Sequence, residues 1–198
     1  MKLHTYEITI GSVFVCLMAI GANITAWFPM LAVPIGGTAV PLSLQTFFAI
    51  AAGLMLGKKL GSIAMIAYVL IGTAGVPVFA GFSAGPMALI SPTGGFIFSF
   101  IAIAFFSGWI SRIKQVPMVS TYIAGAVAGL LFNYGIGVTY MYIGMNTWLH
   151  LPISYQLAWT GMIPFLIKDG GLAILAALFV LQLSKRLNPA VPPGRSQH

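Results

Sequence analysis

From residue 42 to 76 the chain reads LSLQTFFAIAAGLMLGKKLGSIAMIAYVLIGTAGV. Two apolar runs, 42–56 and 60–76, flank a single basic pair, Lys58 and Lys59. A membrane-crossing helix needs roughly 20 mostly apolar residues. The second run approaches that length, and the first is short but ends against charge. Basic residues in a short connection mark its cytoplasmic side. The stretch therefore predicts two crossings joined by a turn on the inner face.

The same pattern extends in both directions. Further apolar runs occupy about 6–28, 95–113, 118–145 and 157–183. Lys2 precedes the first, Arg112 and Lys114 lie between the fourth and fifth, and Lys185, Arg186 and Arg195 follow the sixth. The other connections, 29–41, 77–94 and 146–156, contain no Lys or Arg. The alternation predicts an all-α integral membrane protein with six transmembrane helices and both termini cytoplasmic. It is read as one domain, 1–198, with a cytoplasmic tail over about 186–198. The outer loops are long and rich in turn formers, among them Pro29, Gly36, Gly37, Pro77, Gly81, Gly85 and Pro92. They are also apolar: Val78, Phe79, Phe82, Met87, Leu89 and Ile90 suit a lid folded over a pocket better than a solvated loop.

Composition agrees and excludes much else. The 198 residues are 59% hydrophobic and 6% charged, against about 25% charged in a soluble domain. Nine Lys and Arg against two acids give a net charge of +7. The basic residues are scattered between apolar runs, so they do not form the clustered patch of a nucleic-acid binder. Cys16 is the only cysteine, which precludes an internal disulfide. His4, His150 and His198 are scattered and make no metal cluster. There is no phosphate-cradling Walker loop, nor a serine or cysteine beside a well-placed histidine. A binding or transport subunit with no enzymatic activity, no cofactor and no metal is expected. A membrane enzyme is the weaker alternative.

The two carboxylates are Glu7 and Asp169. Asp169 and Lys168 are the charges inside an apolar run. Asp169 precedes Lys185 by 16 residues, about 24 Å along a helix, which places it near the outer edge of a core roughly 30 Å thick. Buried ionisable groups in a membrane usually face a cavity or a partner. Neighbours on a helix do not share a face, so adjacency alone does not establish that the two pair. Gln45 and Asn133 read as hydrogen bonds between helices. Trp27, Trp148, Tyr155 and Trp159 read as interfacial anchors.

The run Val40-Pro41-Leu42-Ser43-Leu44-Gln45 continues into Ala52-Gly53-Leu54-Met55-Leu56-Gly57. Tyr68, Gly75-Val76-Pro77-Val78-Phe79-Ala80-Gly81 and Ser91-Pro92-Thr93-Gly94-Gly95-Phe96 follow. With Asn133-Tyr134, Gly137 and the Pro164-Phe165…Asp169 stretch, these residues resemble the biotin-specific substrate-binding component, BioY, of energy-coupling factor transporters. Three positions depart from that pattern: Ile97 where some members have arginine, Ser83 where a loop asparagine stands, and Leu172 where lysine is frequent. The resemblance implies biotin as ligand, a transmembrane coupling subunit and two cytoplasmic ATPases as partners, and residence in a prokaryotic plasma membrane. Lipoate or thiamine is the alternative ligand. On this reading Asp169 accepts from the ureido head, and Thr93 or Ser91 donates to its carbonyl, with Ser83 close by. Phe79, Phe82, Phe96 and Tyr134 pack the ring, and Lys168 holds the carboxylate tail. A small-residue face on the first helix, Gly11, Ser12 and Cys16, is the expected coupling contact.

Overall fold

The structure, a computed structural model, describes residues 4–28, 32–35, 38–41, 43–113 and 118–187. Lys2, Lys114, Arg195, His198, the tail beyond Leu187, and Pro29, Gly36 and Gly37 of the first outer connection lie outside the described residues. In chain order the elements are α1 (Thr5–Ala22), the single turn α2 (Ile24–Trp27), β1 (Ala32–Ile35), β2 (Thr38–Pro41) and α3 (Gln45–Thr73). A 3₁₀ turn (Ala80–Phe82), α4 (Pro86–Ile90), α5 (Gly94–Ile110), α6 (Val119–Thr147) and α7 (Tyr155–Leu187) follow. The body is helical. The first long connection, expected as plain loop, carries a short antiparallel hairpin in which Ala32 faces Pro41 and Ile35 faces Thr38.

Helix α3 is two helices. Gly57 stands at φ +82° and ψ 173° inside it, a conformation that glycine adopts freely and other residues do not. The chain reverses there. Gln45 Nε2 donates to Tyr68 Oη at 2.8 Å, although a straight helix would hold residues 23 apart roughly 35 Å from each other. A Cβ on Gly61 would lie 3.0 Å from Ala52 O and 3.1 Å from Gly53 Cα. Residues 45–56 and 58–73 are therefore antiparallel arms, and the basic pair sits at the turn between them, where the charge pattern puts it. The Arg112 guanidinium fills the space that a Cβ on Gly57 would need, and its Nη2 donates to Met55 O at 2.9 Å.

Helix α5 packs between α3 and α6, α7 lies against α6 and α3, and α1 lies against α3. The α3–α5 crossing is close because both sides are glycine. A Cβ on Gly53 would collide with Ser107 Oγ and Ala104 O, and one on Gly108 would lie 2.5 Å from Gly53 O. Small residues let helix backbones approach where no hydrophobic effect drives them together. Met18, Ile50, Met65, Tyr68, Ile103, Val138 and Val180 fill the core. Large apolar side chains also cover the outside: Leu70, Phe105, Leu131, Leu175 and Phe179 are exposed. Helices Thr5–Ala22, Val119–Thr147 and Tyr155–Arg186 are each long and apolar enough to cross a bilayer, and the paired arms of Gln45–Thr73 are as apolar. An apolar exterior over such helices is that of a multi-pass membrane protein.

Two expectations need correction. Helix α1 ends at Ala22 rather than continuing to 28: the backbone leaves helical geometry at Asn23, φ −111° and ψ 13°, and the single turn α2 follows. Gly11, Ser12 and Cys16 do not share a face. Gly11 is buried with Ala64 beside it, while Ser12 and Cys16, one turn apart, are exposed.

Candidate substrate-binding cavity

The connection after α3, residues 74–93, folds across one end of the bundle and is fastened on several sides. Gly85 N–H donates to Gly72 O at 2.8 Å. Tyr140 Oη donates to Leu89 O at 2.8 Å, and Trp148 Nε1 donates to Ile90 O at 2.8 Å. On the far side Phe82 N–H donates to Asn23 Oδ1 at 2.8 Å. Gly94 has no room for a Cβ because the Leu89 carbonyl lies against it. This apolar segment is thus a lid tied to α1, α3 and α6.

Under it lies a cavity of about 470 Å³, within the range of small-molecule sites. Phe79, Ala80 and Ala88 of the lid, Phe96, Ile97 and Phe100 of α5, and Met162 and Phe165 of α7 form apolar walls. The polar lining is Ser43, Gln45, Thr46, Ser83, Ser91, Thr93, Asn133, Tyr134, Lys168 and Asp169.

The charges meet in that cavity. Asp169 is 6% exposed. Tyr134 Oη donates to its Oδ2 at 2.8 Å. Lys168 Nζ lies 2.9 Å from its Oδ1, placed so that the contact is ionic and Oδ1 accepts no hydrogen bond from a described residue. Lys168 Nζ also reaches Ser43 O at 3.4 Å. The pairing that adjacency alone left open is made. The four-carbon stem of lysine is long enough to curl back from its own face to its neighbour's carboxylate. The helix stays regular through Gly170 and Gly171, beside which a Cβ would find open space. Both charges now address one end of any ligand, and Lys168 reaches a distant tail only by swinging away from Asp169.

The hydroxyls are less free than their positions suggest. Ser91 Oγ donates to Ala88 O at 2.7 Å and lies 3.2 Å from Thr93 Oγ1. Ser83 Oγ donates to Ala80 O at 2.9 Å. A hydroxyl has one proton, so Ser91 and Ser83 as placed offer lone pairs to a ligand. Thr93 donates only by turning from Ser91.

Of the residues singled out in the sequence, Asp169, Lys168, Thr93, Ser91, Ser83, Phe79, Phe96 and Tyr134 converge on the cavity. Phe82 does not. The backbone at Gly81 and Phe82 has φ +68° and +55°, which turns the ring outward against Trp27, centroids 6.1 Å apart, and leaves it 48% exposed. Gln45 and Asn133 make the inter-helix bonds expected of them, to Tyr68 and Ser99, and line the cavity as well. Asn133 Nδ2 has no acceptor among the described residues. Met162 and Phe165 were missed although a signal existed: they precede Asp169 by seven and four residues, on one helical face.

The family model described as BioY family matches residues 1–189. The chain belongs to the BioY family. Among curated relatives, this BioY-family chain is 40% identical over 195 residues to a Bacillus subtilis (strain 168) protein named "Putative biotin transporter BioYB", covering 98% of the chain and 96% of that protein. It is 37% identical over 175 residues to the biotin transporter BioY of Thermotoga maritima, covering 88% and 94% respectively. The fold matches a crystal structure of the S-component for biotin from an ECF-type ABC transporter with a TM-score of 0.76, covering 93% of this chain and 95% of that one at 21% identity. The BioY-family lid, cavity and buried acid thus sit on an S-component fold.

Proposed function

We propose that this chain binds biotin from outside the cell and serves as the substrate-binding subunit of an energy-coupling factor transporter, with a membrane coupling subunit and two ATPases as partners. The observation that carries the ligand reading is the unspent Oδ1 of Asp169, set beside Lys168 in an otherwise apolar cavity. A cyclic urea presents an N–H donor and a carbonyl acceptor side by side on one edge. An ammonium and a carboxylate 2.9 Å apart offer the complementary pair. Asp169 accepts from a ureido N–H and Lys168 donates to the ureido oxygen, both charge-assisted. The fused sulfur ring lies against Phe79, Phe96 and Tyr134. Lys168 moves in this reading from the tail to the head of the ligand, and the tail points toward the lid.

Counting the two arms of α3 separately and adding α5 gives six crossings. Lys58, Lys59, Arg112, Lys185 and Arg186 then lie on the cytoplasmic side and the cavity faces out. Residues 1–198 act as one binding domain of the cell membrane, and the exposed Ser12 and Cys16 strip of α1 remains available for the coupling subunit.

Titration calorimetry of the purified chain with biotin, lipoate and thiamine tests the ligand. Biotin is expected to bind and the others not. Equal binding of lipoate would overturn the ureido clamp, and binding of thiamine alone would overturn the ligand class. Uptake of labelled biotin with and without the coupling subunits tests the partnership.

A further inference from the structure

The opposite end of the bundle holds a second cleft of about 460 Å³, formed where α1, the turn of α3 and the end of α5 meet. Its polar lining is Lys58, Lys59, Arg112 and one acid, Glu7. Glu7 is occupied in capping α1: its Oε2 accepts from His4 N–H at 2.9 Å. Among the described residues no carboxylate lies within ion-pairing distance of the three cations. Lys58 is instead held over the ring of Trp109, 5.9 Å from its centroid, and Arg112 is fixed by Met55 O. Leu56, Leu60, Trp109 and Ile113 are the cleft's apolar lining, and Trp109 and Ile113 are exposed.

We infer that this cleft binds the phosphate of an anionic phospholipid headgroup. Three cations against one acid, with Lys58 and Arg112 held in place and none ion-paired among the described residues, leave a net positive concave site that fits a phosphodiester monoanion. Basic pockets between transmembrane helices on the cytoplasmic side bind such headgroups. Trp109 and Ile113 give an acyl chain somewhere to lie, which a free phosphate does not need, and this favours the lipid as occupant. The site is distinct from the biotin cavity and rests only on the membrane reading.

Native mass spectrometry of the detergent-solubilised full chain, with phosphatidylglycerol, phosphatidylcholine or inorganic phosphate added, tests it. Phosphatidylglycerol adducts are expected to survive activation that strips phosphatidylcholine. Lys58→Gln/Lys59→Gln is expected to lower phosphatidylglycerol retention roughly tenfold or more, and Lys58→Arg/Lys59→Arg to restore it. Biotin-induced thermal stabilisation, read on the same samples, is expected to stay unchanged and reports that the variants are folded. Equal retention of both lipids, or unchanged retention in the glutamine variant, overturns the assignment. Retention of inorganic phosphate with no preference for phosphatidylglycerol makes the cleft a soluble-anion site and overturns it too. A wild-type chain that prefers phosphatidylglycerol but ignores biotin would sink the proposed function and leave this site standing.

Discussion

The two ends of the bundle hold cavities of nearly equal volume, about 470 Å³ and about 460 Å³, and treat charge in opposite ways. Under the lid, one cation and one anion are in contact, and a tyrosine takes the remaining carboxylate oxygen. In the basic cleft, three cations outnumber one acid, Glu7, and among the described residues none of them is ion-paired. A buried charge is costly unless paired, whereas charges at an aqueous interface are screened and tolerated. The first arrangement suits a ligand with no net charge at its recognised end. The second suits a ligand that brings its own negative charge. Volume alone would have made the two sites equivalents.

The comparison breaks most easily at Asp169. Asp169→Asn keeps an acceptor for Tyr134 but strands Lys168, and biotin affinity measured by calorimetry is expected to fall roughly 100-fold, since a charged hydrogen bond and its pairing are both lost. Retained affinity would mean that the charges under the lid are structural. Tyr134→Phe removes one hydrogen bond to a charged group and is expected to weaken binding about tenfold, from a loss of about 1.5 kcal/mol. An unchanged Kd would show that Oδ2 needs no fixing. Gly57→Ala puts a side chain where φ is positive and where Arg112 packs, so thermal unfolding is expected to show about 1–2 kcal/mol of destabilisation. Biotin affinity of the folded fraction should hold, because the change belongs to the basic end. Smallest of all, Phe82→Ala is expected to change biotin affinity by less than about twofold, an exposed ring outside the cavity contributing little. A tenfold loss would return Phe82 to the site.

The helical runs were readable because hydropathy and the placement of lysine and arginine are long-range, redundant signals. The break at Gly57 was readable only through its charged neighbours Lys58 and Lys59. Asp169 was conspicuous because an acid in an apolar run has few innocent explanations. Its pairing with Lys168 was hidden, since helical spacing describes where a stem leaves the backbone and says nothing of where a flexible ammonium ends. Phe82 was misplaced for a different reason. Its direction depends on two consecutive positive φ angles, and only Gly81 among the two residues advertises one. For Gln45 and Asn133 the choice between packing and binding was a false one, because a side-chain amide has enough donors and acceptors to serve a neighbouring helix and face a cavity at once.

The turn at Gly57 also bears on how the protein is made. The arm before it, residues 45–56, extends only about 18 Å, well short of a hydrocarbon core roughly 30 Å thick. Such a segment is a poor candidate for lateral release into lipid by itself during synthesis. Residues 58–73 provide the missing hydrophobicity, and Gln45 satisfies its amide only when Tyr68 has arrived beside it. On the proposed topology the two arms are expected to enter the membrane as a pair, once the chain has extended past Thr73.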